Sequence, residues 1–108
     1  MGPIVAVVED RLRTVILLAG GFIEDGLPPQ SDPLNFAPRV RMPVLMINGQ
    51  DDFFAPRAAT DRMFSLLGTQ DKKHVFIEGG HGLARLEQVQ AEVLAWLDAH
   101  LGKVQIKR

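Results

Sequence analysis

The stretch Pro43–Pro56, "PVLMINGQDDFFAP", decides how this chain is read. Its first half is an unbroken apolar run, the pattern of a strand buried on both faces, where one wet side would have imposed polar alternation. Its second half turns polar at Gly49 and sets two carboxylates, Asp51 and Asp52, side by side ahead of Phe53 and Phe54. A strand that stops this way delivers its acids into a loop at its carboxyl end.

Working outward, two more runs repeat the strand signal. "TVILLAGG" (14–21) is β-branched and aliphatic and closes on two glycines, and "HVFIEGG" (74–80) follows the charged turn "TQDKK". Helical patterns lie between and around them. "GPIVAVVEDRLR" (2–13) reads as a short helix, with Pro3 where a first turn tolerates it. "RAATDRMFSLLG" (57–68) puts Met63, Leu66 and Leu67 on one side, with Gly68 as its stop. "RLEQVQAEVLAWLDAHLG" (85–102) spaces Leu86, Val89, Val93, Trp96, Leu97 and Leu101 as the inward face of an amphipathic helix. Residues 22–42 hold four of the seven prolines and no period, so a long loop is expected there. Strands alternating with helices imply the α/β class: a three-stranded parallel sheet with flanking helices, formed by residues 1–108 as one unit. In such sheets ligands bind beyond the carboxyl ends of the strands. Gly20-Gly21, Asp51-Asp52 and Gly80-His81 each follow a strand there.

Composition excludes several functions. A chain of 108 residues allows one modest core. Twelve basic against thirteen acidic residues leave a net charge of −1 and no concentrated basic surface, so nucleic acid is not an expected partner. No apolar run approaches the ~20 residues of a membrane helix, and no basic segment precedes the N-terminal apolar run as in a secretory signal; neither membrane nor export is expected. The absence of cysteine removes disulfides, thiolate metal sites and cysteine nucleophiles, with a reducing, cytoplasmic setting as the default. Three dispersed histidines lack zinc-ligand spacing, and Gly20-Gly21 lacks the further glycine or lysine of a phosphate loop. No metal or cofactor is therefore expected.

Asp52 and His81 are the residues that suggest chemistry. On neighbouring parallel strands, about 4.8 Å apart, their loops bring a carboxylate and an imidazole within reach of each other. An aspartate bonded to one ring nitrogen fixes the tautomer and steadies the imidazolium formed when the other nitrogen takes a proton. Taken singly, each residue has a plainer role: an aspartate after a strand caps helices and forms turns, and a histidine in a glycine-rich loop is often only a surface side chain. His74, at the start of a strand, and His100, in the last turn of a helix where a cation is favourable, are expected to be structural.

With those residues in view, the chain resembles the C-terminal part of an α/β-hydrolase, closest to the dienelactone hydrolase and acetyl-xylan-esterase-like branch. "PVLMINGQDDFFAP" is similar to the G-x-x-D-x-x-x-P segment whose aspartate is the triad acid, which selects Asp52 over Asp51. "EGGHG" resembles the loop of the triad histidine, His81, and "AVVEDRLRTVILLAGGF" looks like the helix after the nucleophile and the strand that follows. The likeness implies a serine carboxylic-ester hydrolase acting on a small-molecule ester, with acid preceding histidine. Its nucleophile sits in a G-x-S-x-G elbow, and no such motif occurs here; Ser31 and Ser65 are the only serines, and neither follows a strand.

By analogy the elbow lies upstream of Met1, so the chain is expected to be an incomplete domain, inactive alone, or else a non-catalytic interaction module on a hydrolase-like core. The strand Thr14–Ala19 then has a bare edge, and "VILLA" carries no charge to discourage pairing. A homodimer through that edge follows as an expectation. Phe22, Phe36, Phe53 and Phe54 either line an acyl pocket or seal the core beneath the loops.

Overall fold

A computed structural model describes residues 2–19, 33–52, 56–81 and 85–102. Within them the chain runs α1 (Gly2–Val8), β1 (Val15–Leu18), α2 (Pro33–Phe36), a 3₁₀ turn (Ala37–Arg39), β2 (Val44–Gly49), α3 (Arg57–Leu66), β3 (Lys72–Ile77) and α4 (Leu86–Leu101). The strands form one sheet in the order β1-β2-β3, all parallel, with Val15 opposite Val44 and Val44 opposite Lys72. The α/β class and the three-stranded parallel sheet are those the alternation implied; the strand order comes from the structure.

β2 is central, and all six of its residues are buried. Its side chains alternate between two cores, as the period of a strand dictates. Val44 and Met46 join Leu17, Ala6, Ala37, Val40, Met63 and Leu67 beneath α1, the 3₁₀ turn and α3. Leu45 and Ile47 join Ile77, Val89 and Trp96 beneath α4. Helices on both faces explain why "VLMI" lacks alternation.

Four details differ from the sequence reading. Part of the segment expected as loop is ordered helix: Pro33 opens α2 and Pro38 sits inside the 3₁₀ turn, where a missing N–H costs nothing. β3 starts two residues early, because Lys72 and Lys73 are strand residues on a sheet edge; Lys73 pairs with Glu92 at 3.2 Å. Lys72 also explains the end of α3, its Nζ donating to the carbonyls of Phe64 (2.8 Å) and Leu67 (3.2 Å), where a cation suits the helix terminus. Gly68 follows that end without taking a left-handed conformation; it is glycine because a Cβ there would overlap the carbonyl oxygen of Pro38. Finally, β1 is not buried on both faces: Leu18 is 51% exposed, and on α4 Leu86 and Leu101 are exposed too.

At the amino ends of the strands a polar network joins α4 to the sheet. The Trp96 indole N–H donates to Thr14 Oγ1 (2.8 Å), and the Thr14 hydroxyl donates to the Pro43 carbonyl (2.8 Å). His100 stacks on the Trp96 ring at 3.9 Å, with Nδ1 2.9 Å from the Trp96 carbonyl and Nε2 2.9 Å from Asp71 Oδ2. Both ring nitrogens face acceptors, so the doubly protonated imidazolium satisfies both. The Trp96 carbonyl, and after it Asp71, therefore hold the His100 pKa above its ordinary 6.5. A raised folded-state pKa gives stability that is full below 6.5 and is lost as pH rises through the folded value. His100→Gln is accordingly expected to destabilise more at pH 5.5 than at pH 8.5 in urea titrations. An equal loss at both pH values would refute the charged role.

Candidate active site

The carboxyl edge of the sheet is assembled by two loops held together through their backbones. The Gln50 N–H donates to the Ile77 carbonyl (2.9 Å) and the Asp51 N–H to the Gly79 carbonyl (3.0 Å), continuing the β2–β3 ladder past both strands. Such close approach is possible because residue 49 has no side chain: a Cβ there would overlap the Gly80 carbonyl oxygen and lie 2.5 Å from that of Gly79. Gly79 in turn adopts φ 118°, a conformation glycine takes readily. The result is a fixed spacing between the residues that follow, Asp52 and His81.

These two side chains meet. His81 Nδ1 lies 2.7 Å from Asp52 Oδ2; the carboxylate is fully buried, while the imidazole is 47% exposed. A buried acid on Nδ1 makes that nitrogen the proton-bearing one and turns Nε2 into the basic nitrogen, on the more exposed member of the pair. Asp51, one residue earlier, is exposed in the turn, its backbone rather than its carboxylate serving the loop. Beyond β3, the Glu78 carboxylate and the Arg85 guanidinium pair at 3.1 Å, bracketing the segment that carries His81. At the end of β1, Ala19 takes φ 56° while its N–H donates to the Ile47 carbonyl at 2.8 Å. Gly20-Gly21 lie outside the described residues, as do Phe22, Phe53, Phe54 and Ser31.

Beneath this edge a buried amide supports β2. Asn48 is fully buried, its Oδ1 2.7 Å from His74 Nε2, and His74 packs between the rings of Phe64 and Phe76 at 5.1 and 4.3 Å. Burial holds the His74 pKa below 6.5, partly offset by Asp61, so the neutral ring donating from Nε2 is the favoured form. Its contribution to stability is present above pH 6.5 and is lost as pH falls through the folded value. His74 thus stands within β3 rather than at its start. Asn48 did not stand out in the sequence, where "VLMING" reads as one apolar strand, and Gly49 stood out only as the glycine of the G-x-x-D-x-x-x-P segment, not for the close approach it permits.

The other candidates fall elsewhere. Ser65, on α3, is exposed and donates its hydroxyl to the Arg62 carbonyl of its own helix at 2.9 Å. Phe36 is half-buried on α2, with the Arg39 guanidinium 5.6 Å from its ring centroid. Among the described residues no three histidine, aspartate or glutamate side chains group as a metal site, and no helix is long and apolar enough to cross a membrane.

No family model and no curated protein matches the sequence. Solved structures do. A cold-adapted esterase from an Arctic intertidal metagenomic library superposes with a TM-score of 0.74 at 25% identity, over 93% of this chain and 44% of that one. An esterase of Pyrococcus furiosus matches at 0.73 and 12% identity, over 94% of this chain and 49% of its own. An acylaminoacyl peptidase of Pyrococcus horikoshii matches at 0.69 and 15%, over 98% of this chain and 23% of its own. The chain carries part of an α/β-hydrolase fold. It spans less than half the length of these matched proteins, so their architecture extends well beyond the three strands seen here. Within the hydrolase fold, the edge bearing Asp52 and His81 is the one where parallel α/β sheets place their ligands.

Proposed function

We propose that residues 1–108 are the acid-and-histidine portion of a serine carboxylic-ester hydrolase, with Asp52 orienting His81 and the nucleophile supplied by a part of the fold outside these residues. The observation that carries this reading is the 2.7 Å bond between a buried carboxylate and a half-exposed imidazole, on adjacent loops of a hydrolase-type sheet. In the completed site His81 Nε2 takes the serine proton as the hydroxyl attacks the ester carbonyl, then returns it to the departing alkoxide. The substrate is a small-molecule carboxylic ester. The branch nearest dienelactone hydrolase and acetyl-xylan esterase is supported by "PVLMINGQDDFFAP" and "EGGHG". A cytoplasmic setting accords with the lack of cysteine.

The absence of G-x-S-x-G from the sequence favours a second reading, a non-catalytic interaction module on the same core. Fluorophosphonate labelling separates the two. The chain alone is expected to remain unlabelled and to hydrolyse p-nitrophenyl esters at background. Joined to the N-terminal portion of an esterase of the matched kind, it is expected to label and turn over. Labelling of Ser31 or Ser65 in the chain alone would contradict the assignment, and an inactive, unlabelled but folded chimera would favour the module.

A further inference from the structure

The loop that carries Asp52 leaves β2 after Gly49 and enters α3 at Arg57. Both of its feet are fastened to β3, the strand that leads to His81. At the first foot, Asn48 is the last buried side chain before Asp52, since Gly49 has none and Gln50 and Asp51 are exposed. Its Oδ1 lies 2.7 Å from His74 Nε2. At the second foot, the Arg57 guanidinium lies 4.0 Å from the centroid of the Phe76 ring. His74 and Phe76 alternate on one strand and so share the α3 face of the sheet, with their ring centroids 4.3 Å apart.

The bond to Asn48 is a diagonal one. Asn48 stands opposite Phe76 in the β2–β3 register and His74 stands opposite Met46, so the amide reaches back to the next same-face position of β3. A diagonal between neighbouring strands changes length when one slides along the other, so this bond resists a slip of the β2 end along β3. His74 is itself held in place. Phe64 of α3 lies 5.1 Å from its ring, and Asp61 sets one carboxylate oxygen 3.8 Å from His74 Nδ1 and the other 3.8 Å from Arg57 Nε. The circuit Arg57, Phe76, His74, Asp61 thus couples the second foot to the first. Stability alone does not call for polar groups here: the rest of β2 is apolar, and a bonded neutral pair can be exchanged for apolar groups of similar shape at little cost. What the pair adds is direction, because a hydrogen bond fixes where Asn48 sits relative to His74 and apolar contact does not.

We propose that His74 is a positioning residue for the pair at the site: through Asn48 and Phe76 it pins both feet of the acid loop to the strand that delivers the histidine, and so holds Asp52 on His81 Nδ1. The brace needs only the Nε2 proton, which the favoured neutral form and the imidazolium both carry.

The consequence for turnover rests on the proposed chemistry, but the geometric part is readable in the chain alone. Two-bond proton–nitrogen spectra of the neutral His81 ring show which nitrogen carries the proton. The unaltered chain is expected to hold it on Nδ1. His74→Phe keeps an aromatic ring but donates nothing, and is expected to shift the proton toward Nε2. His74→Gln, whose amide nitrogen can stand where Nε2 stands, is expected to keep the Nδ1 form; His74→Asn, whose amide falls short of that position, is expected to behave as His74→Phe. In an enzyme completed with a nucleophile-bearing portion, His74→Phe is expected to lower kcat about 10- to 100-fold with KM within a few-fold, and His74→Gln to retain most of kcat. Adding Asn48→Leu to His74→Phe removes the orphaned acceptor and is expected to recover resistance to urea but not kcat. A merely structural pair would recover both, which would overturn the inference. So would a His81 proton distribution that His74→Phe and His74→Asn leave unchanged. A tautomer shift in the chain with no turnover in any completed enzyme would uphold the positioning and refute the proposed chemistry instead.

Discussion

Gly49→Ala is expected to cost at least about 2–3 kcal/mol and to separate Asp52 from His81, although neither residue is touched. The added methyl would overlap the Gly80 carbonyl oxygen and sit 2.9 Å from its carbon, with the Gly79 carbonyl oxygen at 2.5 Å. All three obstacles are backbone, so no side chain can swing aside. Relief requires β2 and the histidine loop to part, breaking the Gln50-to-Ile77 and Asp51-to-Gly79 bonds. Gly80→Ala is the matched control. Among the described residues its Cβ would meet only the Asp51 carbonyl oxygen, at 3.9 Å, an ordinary contact, and a change within about 0.5 kcal/mol is expected. Urea unfolding of the two variants decides the matter: similar stabilities would mean that the loops yield and that Gly49 does not set the spacing.

That close approach also shows where sequence reading stops. β2 was legible because it is buried on both faces, and a short apolar run bounded by Pro43 and Gly49 fits a doubly covered strand better than any other element. That Asp52 and His81 meet was legible because parallel topology places the residues after each strand at one edge. The leucines of α4 were not. Periodicity assigned Leu86 and Leu101 to the inward face, yet a helix whose apolar arc is wider than the sheet beneath it looks the same in sequence as one fully packed. Proline density likewise hid α2, because it marks loops and helix starts alike. Gly49 read as a strand end because the obstacle to a side chain there comes from residues 79 and 80, about thirty positions away in the chain. Contacts of that range leave no local signature.

In an enzyme completed with a nucleophile-bearing portion, Asp52→Asn is expected to lower kcat about 10⁴-fold while KM stays within a few-fold. The asparagine amide can rotate to offer its N–H toward His81 Nδ1, which then becomes the acceptor and leaves the proton on Nε2. A histidine in that tautomer cannot take the serine proton. The buried carboxylate at 2.7 Å would also no longer balance the imidazolium as it forms. A 10⁴-fold loss corresponds to about 5.5 kcal/mol of transition-state stabilisation, more than any surface ion pair supplies. His81→Ala is expected to lose as much or more, and the double variant little beyond the worse single one, because the pair acts as a unit. Asp51→Asn is the discriminating control: with its carboxylate exposed in the turn and only its backbone N–H engaged by Gly79, it is expected to change kcat by no more than about threefold. Were Asp51→Asn the damaging change and Asp52→Asn the mild one, the acid would have been assigned to the wrong member of the pair. Were both mild, the bond between Asp52 and His81 would be structural and the loop it closes would serve binding alone.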